Sequence, residues 1–255
     1  MKLITLVENT TRREDLQAEH GLSLYIETNG KKILFDTGAS GAFADNAEKL
    51  GVDLINVDFA VLSHGHYDHG GGLERFLQIN SRGPVYLSPY AFEAHHNASG
   101  KFIGLDPGLR NHPRLIPVEG SGELAPGITL HTCPLPPEDT AGLTVLEKGV
   151  LCPEDFRHEQ YLMIREGKKR ILVSGCSHKG IFRLTEYFRP DILIGGFHFM
   201  KVEEDAFLEN AAKKLLEQDA VYYTGHCTGQ RQYAVMKEIM GSRLRYLATG
   251  DCVEL

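Results

Sequence analysis

An α/β fold in which sheets are covered by helices is predicted by three features of the sequence. The N-terminal half is rich in strand and turn signals. In the C-terminal half, short apolar strands alternate with helical segments. The chain has 255 residues, 42% of them hydrophobic, a length that suits one large domain or two small ones.

The elements follow in order. Leu3 to Val7 is a short apolar run. Leu22 to Thr28 alternates, Asn29-Gly30 supplies a tight turn, and Lys31 to Phe35 runs back, which is a hairpin signature. Asp36-Thr37-Gly38 breaks the strand, and Phe43, Ala47 and Leu50 recur at helical spacing before Gly51. Val57 to Leu62 is a strand, Leu73 to Leu77 a helix and Val85 to Leu87 a strand. Residues 94–113 carry Gly, Pro, His and Asn throughout and read as an irregular functional loop or lid. Pro134, Pro136 and Pro137 mark a second irregular stretch. Tyr161 to Ile164 and Ile171 to Ser174 pair around Gly167. Beyond them, helices over 180–188, 206–218 and 230–240 alternate with strands over 192–194, 221–224 and 244–247.

Composition excludes several classes. The formal charge of −7 disfavours a phosphate-backbone binder, so no nucleic-acid partner is expected. No apolar run approaches the roughly 18 residues of a membrane helix, and the opening residues turn polar too soon for a signal peptide. The five cysteines are odd in number and widely spread, so a disulfide scaffold is not expected and a reducing cytoplasm is. Histidine, at 12, is the unusual count. It is the commonest metal ligand and the usual proton-transfer group near neutral pH.

His64, His66, Asp68 and His69 lie within six residues at the end of an apolar strand. Three imidazoles and a carboxylate this close suit zinc, iron or manganese. If residues 64–66 stay extended, His64 and His66 point the same way and can grip one ion. Asp68 and His69 follow at a turn and can reach a second. Further donors are expected at other strand ends, and the same construction recurs: Val173-Ser174-Gly175-Cys176-Ser177-His178, Ile194-Gly195-Gly196-Phe197-His198 and Thr224-Gly225-His226-Cys227. Four such strand ends imply one shared edge where the side chains converge.

Ser63-His64-Gly65-His66-Tyr67-Asp68-His69 resembles the HxHxDH signature of the metallo-β-lactamase superfamily, and Asp36 in Phe35-Asp36-Thr37-Gly38 matches its first motif. Leu6-Val7-Glu8-Asn9, Glu19-His20-Gly21-Leu22-Ser23, Ser174 to His178, Gly195 to His198 and His226-Cys227-Thr228-Gly229 are similar to the dihydropterin synthase-like branch. The resemblance implies a four-layer αββα sandwich, two mixed sheets flanked by helices, formed by residues 1–255 as one domain. It implies His64 and His66 on a first metal, and Asp68, His69 and His226 on a second. One or two divalent ions are expected, zinc foremost. Cys176 stands where many superfamily hydrolases carry a bridging Asp. His178 is the preferred ligand beside it, ahead of His158.

The expected chemistry is hydrolysis of a small phosphorylated or cyclic ester, with Asp68 orienting water and accepting its proton. The resemblance also implies an alternative, transfer of a dihydropterin methyl group from its diphosphate to an arylamine ribose phosphate. For such substrates Tyr67, Phe92, Phe102 and Phe197 are candidate stacking partners, and Lys101, Arg110 and Arg114 candidate phosphate contacts. His198 is a further candidate for substrate contact. A third possibility is a non-catalytic metal or redox binder, with Cys176 and Cys227 beside the ligands. His20 is expected behind the site, His95 and His96 at its entrance, and His112 and His131 in structural roles.

Overall fold

The computed structural model describes residues 1–255. Strands β1 (Lys2–Val7), β2 (Ser23–Thr28) and β3 (Lys31–Phe35) pair antiparallel. The β2–β3 turn places Asn29 at φ 49° and Gly30 at φ 71°. A two-residue hairpin needs both in the left-handed region, and Asn-Gly tolerates it best. Helix α1 (Ala42–Lys49) follows, then β4 (Phe59–Val61), the short α2 (Tyr67–Gly70), α3 (Leu73–Ile79) and β5 (Val85–Leu87). β6 (His95–His96) and β7 (Leu115–Pro117) lead into β8 (Gly122–Ala125), β9 (Ile128–Thr132), β10 (Thr144–Glu147) and β11 (Val150–Pro153). The remainder is β12 (Gln160–Glu166), β13 (Lys169–Val173), α4 (Ile181–Phe188), β14 (Ile192–Ile194), α5 (Asp205–Leu216), β15 (Val221–Thr224), α6 (Gln230–Met240), β16 (Leu244–Tyr246) and β17 (Cys252–Glu254).

Two seven-stranded mixed sheets result, in the orders β17-β1-β2-β3-β4-β5-β7 and β16-β15-β14-β13-β12-β9-β8. Period-two alternation divides their side chains between layers. Ile33 and Phe35 of β3 face inward with Ile171 and Val173 of β13, in the apolar core between the sheets. Leu34 faces outward against Phe43 of α1 and Phe76 of α3. Leu172 and Leu193 face the other way, against Ile181 and Leu184 of α4, Leu208 of α5 and Met236 of α6. Helix, sheet, sheet and helix therefore stack as four layers. Leu184 is wholly buried, so Leu184→Ala removes about 2–5 kcal/mol. No helix is long and apolar enough to cross a membrane.

The structure departs from the sequence reading between residues 94 and 153. The stretch expected to be irregular contributes β6, which pairs with β10 in a small sheet ordered β11-β10-β6. β7, β8 and β9 were also not expected, nor was β17. β7, β8 and β17 are short and partly exposed, and β9 has only Ile128 and Leu130 in the core, alternating with polar residues, so all four lack the apolar runs that mark the others.

Candidate metal centre

Both sheets deliver their reactive residues to one edge. β3 ends at Asp36, and β4, parallel to it, runs into Ser63 to His69. The parallel strands β13, β14 and β15 run into Cys176 and His178, His198, and His226. Carboxyl ends of parallel strands are where open α/β sheets bind ligands. Of nine non-glycine residues with left-handed φ, Asp36, Phe156, Ser177, His198 and His226 belong to this edge. Such conformations persist only where surrounding contacts impose them, and they concentrate at functional sites.

Three imidazoles are oriented by fixed partners. Asp36, wholly buried, accepts the Ser63 N–H and Ser63 Oγ–H, each at 2.7 Å, and His69 Nδ1–H at 2.7 Å. Because the Ser63 hydroxyl donates to Asp36, its oxygen accepts from His64 Nδ1 at 2.8 Å. Asn9 Oδ1 accepts from His226 Nδ1 at 2.9 Å. A neutral imidazole that donates through Nδ1 keeps its lone pair on Nε2. His64 and His226 therefore present a bare Nε2, and His69 does so whenever it is neutral. His69 Nε2 lies 3.2 Å from His226 Nε2 and 3.2 Å from Cys176 Sγ, and His64 Nε2 lies 3.3 Å from His178 Nε2. Lone pairs facing one another in a buried space repel unless a proton or cation sits between them.

Asp68 completes the outer side. Its Oδ2 lies 3.4 Å from His226 Nε2, 3.3 Å from His20 Nε2 and 3.9 Å from His69 Nε2. Glu8 fixes the backbone of His226, accepting its N–H at 2.5 Å and also Tyr246 O–H at 2.9 Å. Glu159 does the same for His178, accepting its N–H at 2.7 Å. Gly175 allows the close packing: a Cβ there would lie 2.3 Å from Ser63 Oγ and 3.1 Å from His64 Nδ1.

The chain bends at His64-Gly65 instead of staying extended, and His64 and His66 remain neighbours. Their rings stand at 80° to one another with centroids 4.6 Å apart. His64 groups with Cys176 and His178, whereas His66 groups with His95 and His158. His95 does not line an entrance. It is wholly buried, donates Nδ1–H to Glu154 at 2.8 Å and stacks on His158 at 3.9 Å. His158 Nδ1 accepts the Gly65 N–H at 2.8 Å, so its proton sits on Nε2, toward Glu154 at 3.6 Å. His158 thereby holds the His64–His66 turn. The Nε2 atoms of His66, His95 and His158 and Nδ1 of His178 have no hydrogen-bond partner.

The residues present fit a divalent cation. Donor groups His64–Cys176–His178 and His69–Cys176–His226 each place their ligand atoms within 4.8 Å of one another, as does His20–Asp68–His226. Burial pushes His64, His158 and His178 well below the usual histidine range, His66 to about 3 and His226 to about 4. Neutral imidazoles are what a metal requires. For His69 burial pulls the same way, but the Asp36 and Asp68 carboxylates outweigh it and raise its pKa. Burial opposes ionisation of Asp68, yet His69, His20 and His226 hold it well below the usual carboxylate range. Burial and the neighbouring Cys227 raise the Cys176 thiol well above its ordinary value. A coordinating metal deprotonates such a thiol outright.

The residues expected to meet substrate scatter. His198 sits against His178, with ring centroids 4.5 Å apart, and lines a cavity of about 550 Å³. Tyr67, Lys101 and Arg110 are exposed and do not line that cavity. Arg114 is unavailable to phosphate, because its guanidinium is bound to the backbone carbonyls of Leu77, Asn80 and Gly83. Phe197 lines the cavity, while Phe92 packs in the first sheet's outer core and Phe102 lies exposed beside His96. His20 stands behind Asp68 and is half exposed. His112 caps the Arg114 N–H, and His131 bonds Thr129, both away from the centre. Glu8, Asn9, Ser63, Glu154 and Glu159 were not singled out for these roles, because each acts through a fold contact rather than a local spacing.

A family model for the metallo-beta-lactamase superfamily matches residues 16–151. The chain is 30% identical to the 7,8-dihydropterin-6-methyl-4-(beta-D-ribofuranosyl)-aminobenzene-5'-phosphate synthase of Methanocaldococcus jannaschii, across all of this chain and 96% of that protein. It is 29% identical to an uncharacterised protein of the same organism, across 92% of this chain and 93% of that one. A solved structure described as a metal-dependent hydrolase of the beta-lactamase superfamily superposes with a TM-score of 0.83 at 27% identity. That match covers all of this chain and 99% of the other.

Proposed function

The chain belongs to the metallo-beta-lactamase superfamily, and from that premise we propose that it is a metal-dependent hydrolase of a small phosphorylated or cyclic ester. One observation carries the reading: the Nε2 atoms of His64, His69 and His226, each ring held at Nδ1 by a fixed partner, converge beside Cys176 and Asp68. Two divalent ions, zinc foremost, would be held by His64, Cys176 and His178, and by Asp68, His69 and His226, with Cys176 common to both sets. A divalent ion supplies a water whose pKa falls toward about 7 and polarises the bond under attack.

The protein's own groups do the rest. Asp68 stays ionised and accepts the proton of the attacking water. His20, 3.3 Å away and half exposed, offers that proton a route to solvent. His198 stands between the centre and the cavity, where it can meet the substrate. The test is turnover on phosphodiesters, lactones and esters by metal-loaded protein. Hydrolysis that chelation abolishes, and that Asp68→Asn lowers at least a hundredfold, supports the reading. Hydrolysis indifferent to both contradicts it.

A second reading is favoured by the full-length similarity to the synthase: transfer of a dihydropterin methyl group to an arylamine ribose phosphate with loss of diphosphate. Mass spectrometry of a reaction containing both substrates separates the two. The joined pterin–arylamine product supports transfer, and hydrolysed diphosphate ester alone supports hydrolysis.

A further inference from the structure

The cavity beside the centre has a wall of four phenylalanines. Phe199 meets Phe207 at 5.5 Å and 89°, Phe197 at 6.1 Å and 72°, and Phe182 at 6.2 Å and 42°. Phe197 and Phe199 are buried at the back, while Phe207 and Met200 are 45% and 39% exposed. His178 and His198 line the same cavity, so it is continuous with the metal centre. Its volume, about 550 Å³, lies within the range of small-molecule sites. Large apolar side chains left open to water at the mouth of a reactive cleft mark a surface that a ligand covers.

We propose that this cavity is the specificity slot of the hydrolase inferred above, and that it takes a planar aromatic group attached to the bond that is cleaved. The inference rests on that hydrolase reading only for the word cleaved; the slot itself stands on its own geometry. The aromatic class follows from the wall. Rings prefer edge-to-face and offset contacts, and Phe199 with Phe207 and Phe197 already forms an edge-to-face array that one more ring extends. An alkyl chain would bury apolar area there without those ring contacts. His198, held at φ 59°, lines the cavity and packs on His178 at 4.5 Å, so it would flank the link between the ring and the reacting bond. The exposed Lys201 is the one Lys or Arg in the lining, which also holds Glu138 and Asp139, so an anionic substituent on the ring would turn toward Lys201.

The experiment has two arms. Binding of naphthoate, which has no ester to cleave, is followed by fluorescence to wild-type protein, Phe207→Ala and Phe199→Ala. Metal content and circular dichroism are checked on each. About tenfold weaker binding to Phe207→Ala, whose side chain is 45% exposed, supports the slot. Equal binding to both variants overturns it. In the second arm, kcat/KM for naphthyl esters is compared with that for alkyl esters of similar size. A preference of about tenfold for the aromatic ester, lost in Phe207→Ala, supports the slot, and equal or better use of alkyl esters overturns it. Tight naphthoate binding with no hydrolysis of any ester leaves the slot standing and removes only the hydrolase reading.

Discussion

Asp36→Asn isolates the electrostatic support of the centre without emptying it. The Asp36 carboxylate is wholly buried and receives three donors: Ser63 N–H on Oδ1, and Ser63 Oγ–H and His69 Nδ1–H on Oδ2, all at 2.7 Å. Asparagine has the same shape but only one acceptor oxygen. If that oxygen keeps the Ser63 N–H, the amide NH₂ faces Ser63 Oγ and His69 Nδ1. Ser63 can accept instead of donating, so its own O–H loses its acceptor and the hydroxyl that His64 Nδ1 donates to is no longer fixed. His69 must then offer a lone pair at Nδ1, so its proton moves to Nε2, the atom that faces Cys176 and His226. Carboxylates behind a metal-binding histidine are worth about 10–100-fold in metal affinity, which converts to about 1.4–2.7 kcal/mol. The assay is zinc competition against a chromophoric chelator at neutral pH, with circular dichroism as the control for folding. A folded Asp36→Asn protein that binds zinc as tightly as wild type would refute the idea that fixed Nδ1 partners set this site.

Gly175→Ala places a Cβ 2.3 Å from Ser63 Oγ, where backbone and side chain are both confined; overpacking of this kind costs about 1–3 kcal/mol in urea unfolding and also weakens zinc binding. Acid should destabilise the metal-free protein: His66 at about 3 and His226 at about 4 are neutral when folded, against 6.5 when unfolded. The unfolded chain therefore binds more protons as pH falls through 6.5, and stability declines from there toward pH 3 to 4. A thermal midpoint of metal-free protein that stays level between pH 7 and 4 would contradict this. Asn9→Ala frees His226 Nδ1 and should weaken zinc binding about tenfold, while leaving the Asp36–His69 bond intact.

The parts legible in the sequence are those whose physics is local. The Asn29-Gly30 hairpin, the strands at 192–194 and 221–224 and the helix over 230–240 rest on turn chemistry and periodicity, and the structure has them at those positions. The clustering of His64, Asp68, His69, Cys176, His178 and His226 was legible because each follows an apolar strand, and parallel strands end at one edge. The local turn of the chain was not. The bend at Gly65 is held by His158, which lies 93 residues away. Glu8 and Asn9 act on His226 across 218 and 217 residues, a relation that no spacing rule carries. His95 was misplaced for the same reason. Its two-residue strand is fixed by pairing with β10, and Glu154 then draws the imidazole inward. Arg114 looked like a free cation because a sequence does not show which carbonyls will surround a guanidinium.

Anomalous diffraction from crystals grown with zinc tests the centre most directly. Peaks are expected within about 2.0–2.3 Å of His64, His69 and His226 Nε2 and of Cys176 Sγ. A map in which His69 and His226 Nε2 keep their contact near 3.2 Å, with zinc elsewhere or absent, would contradict it.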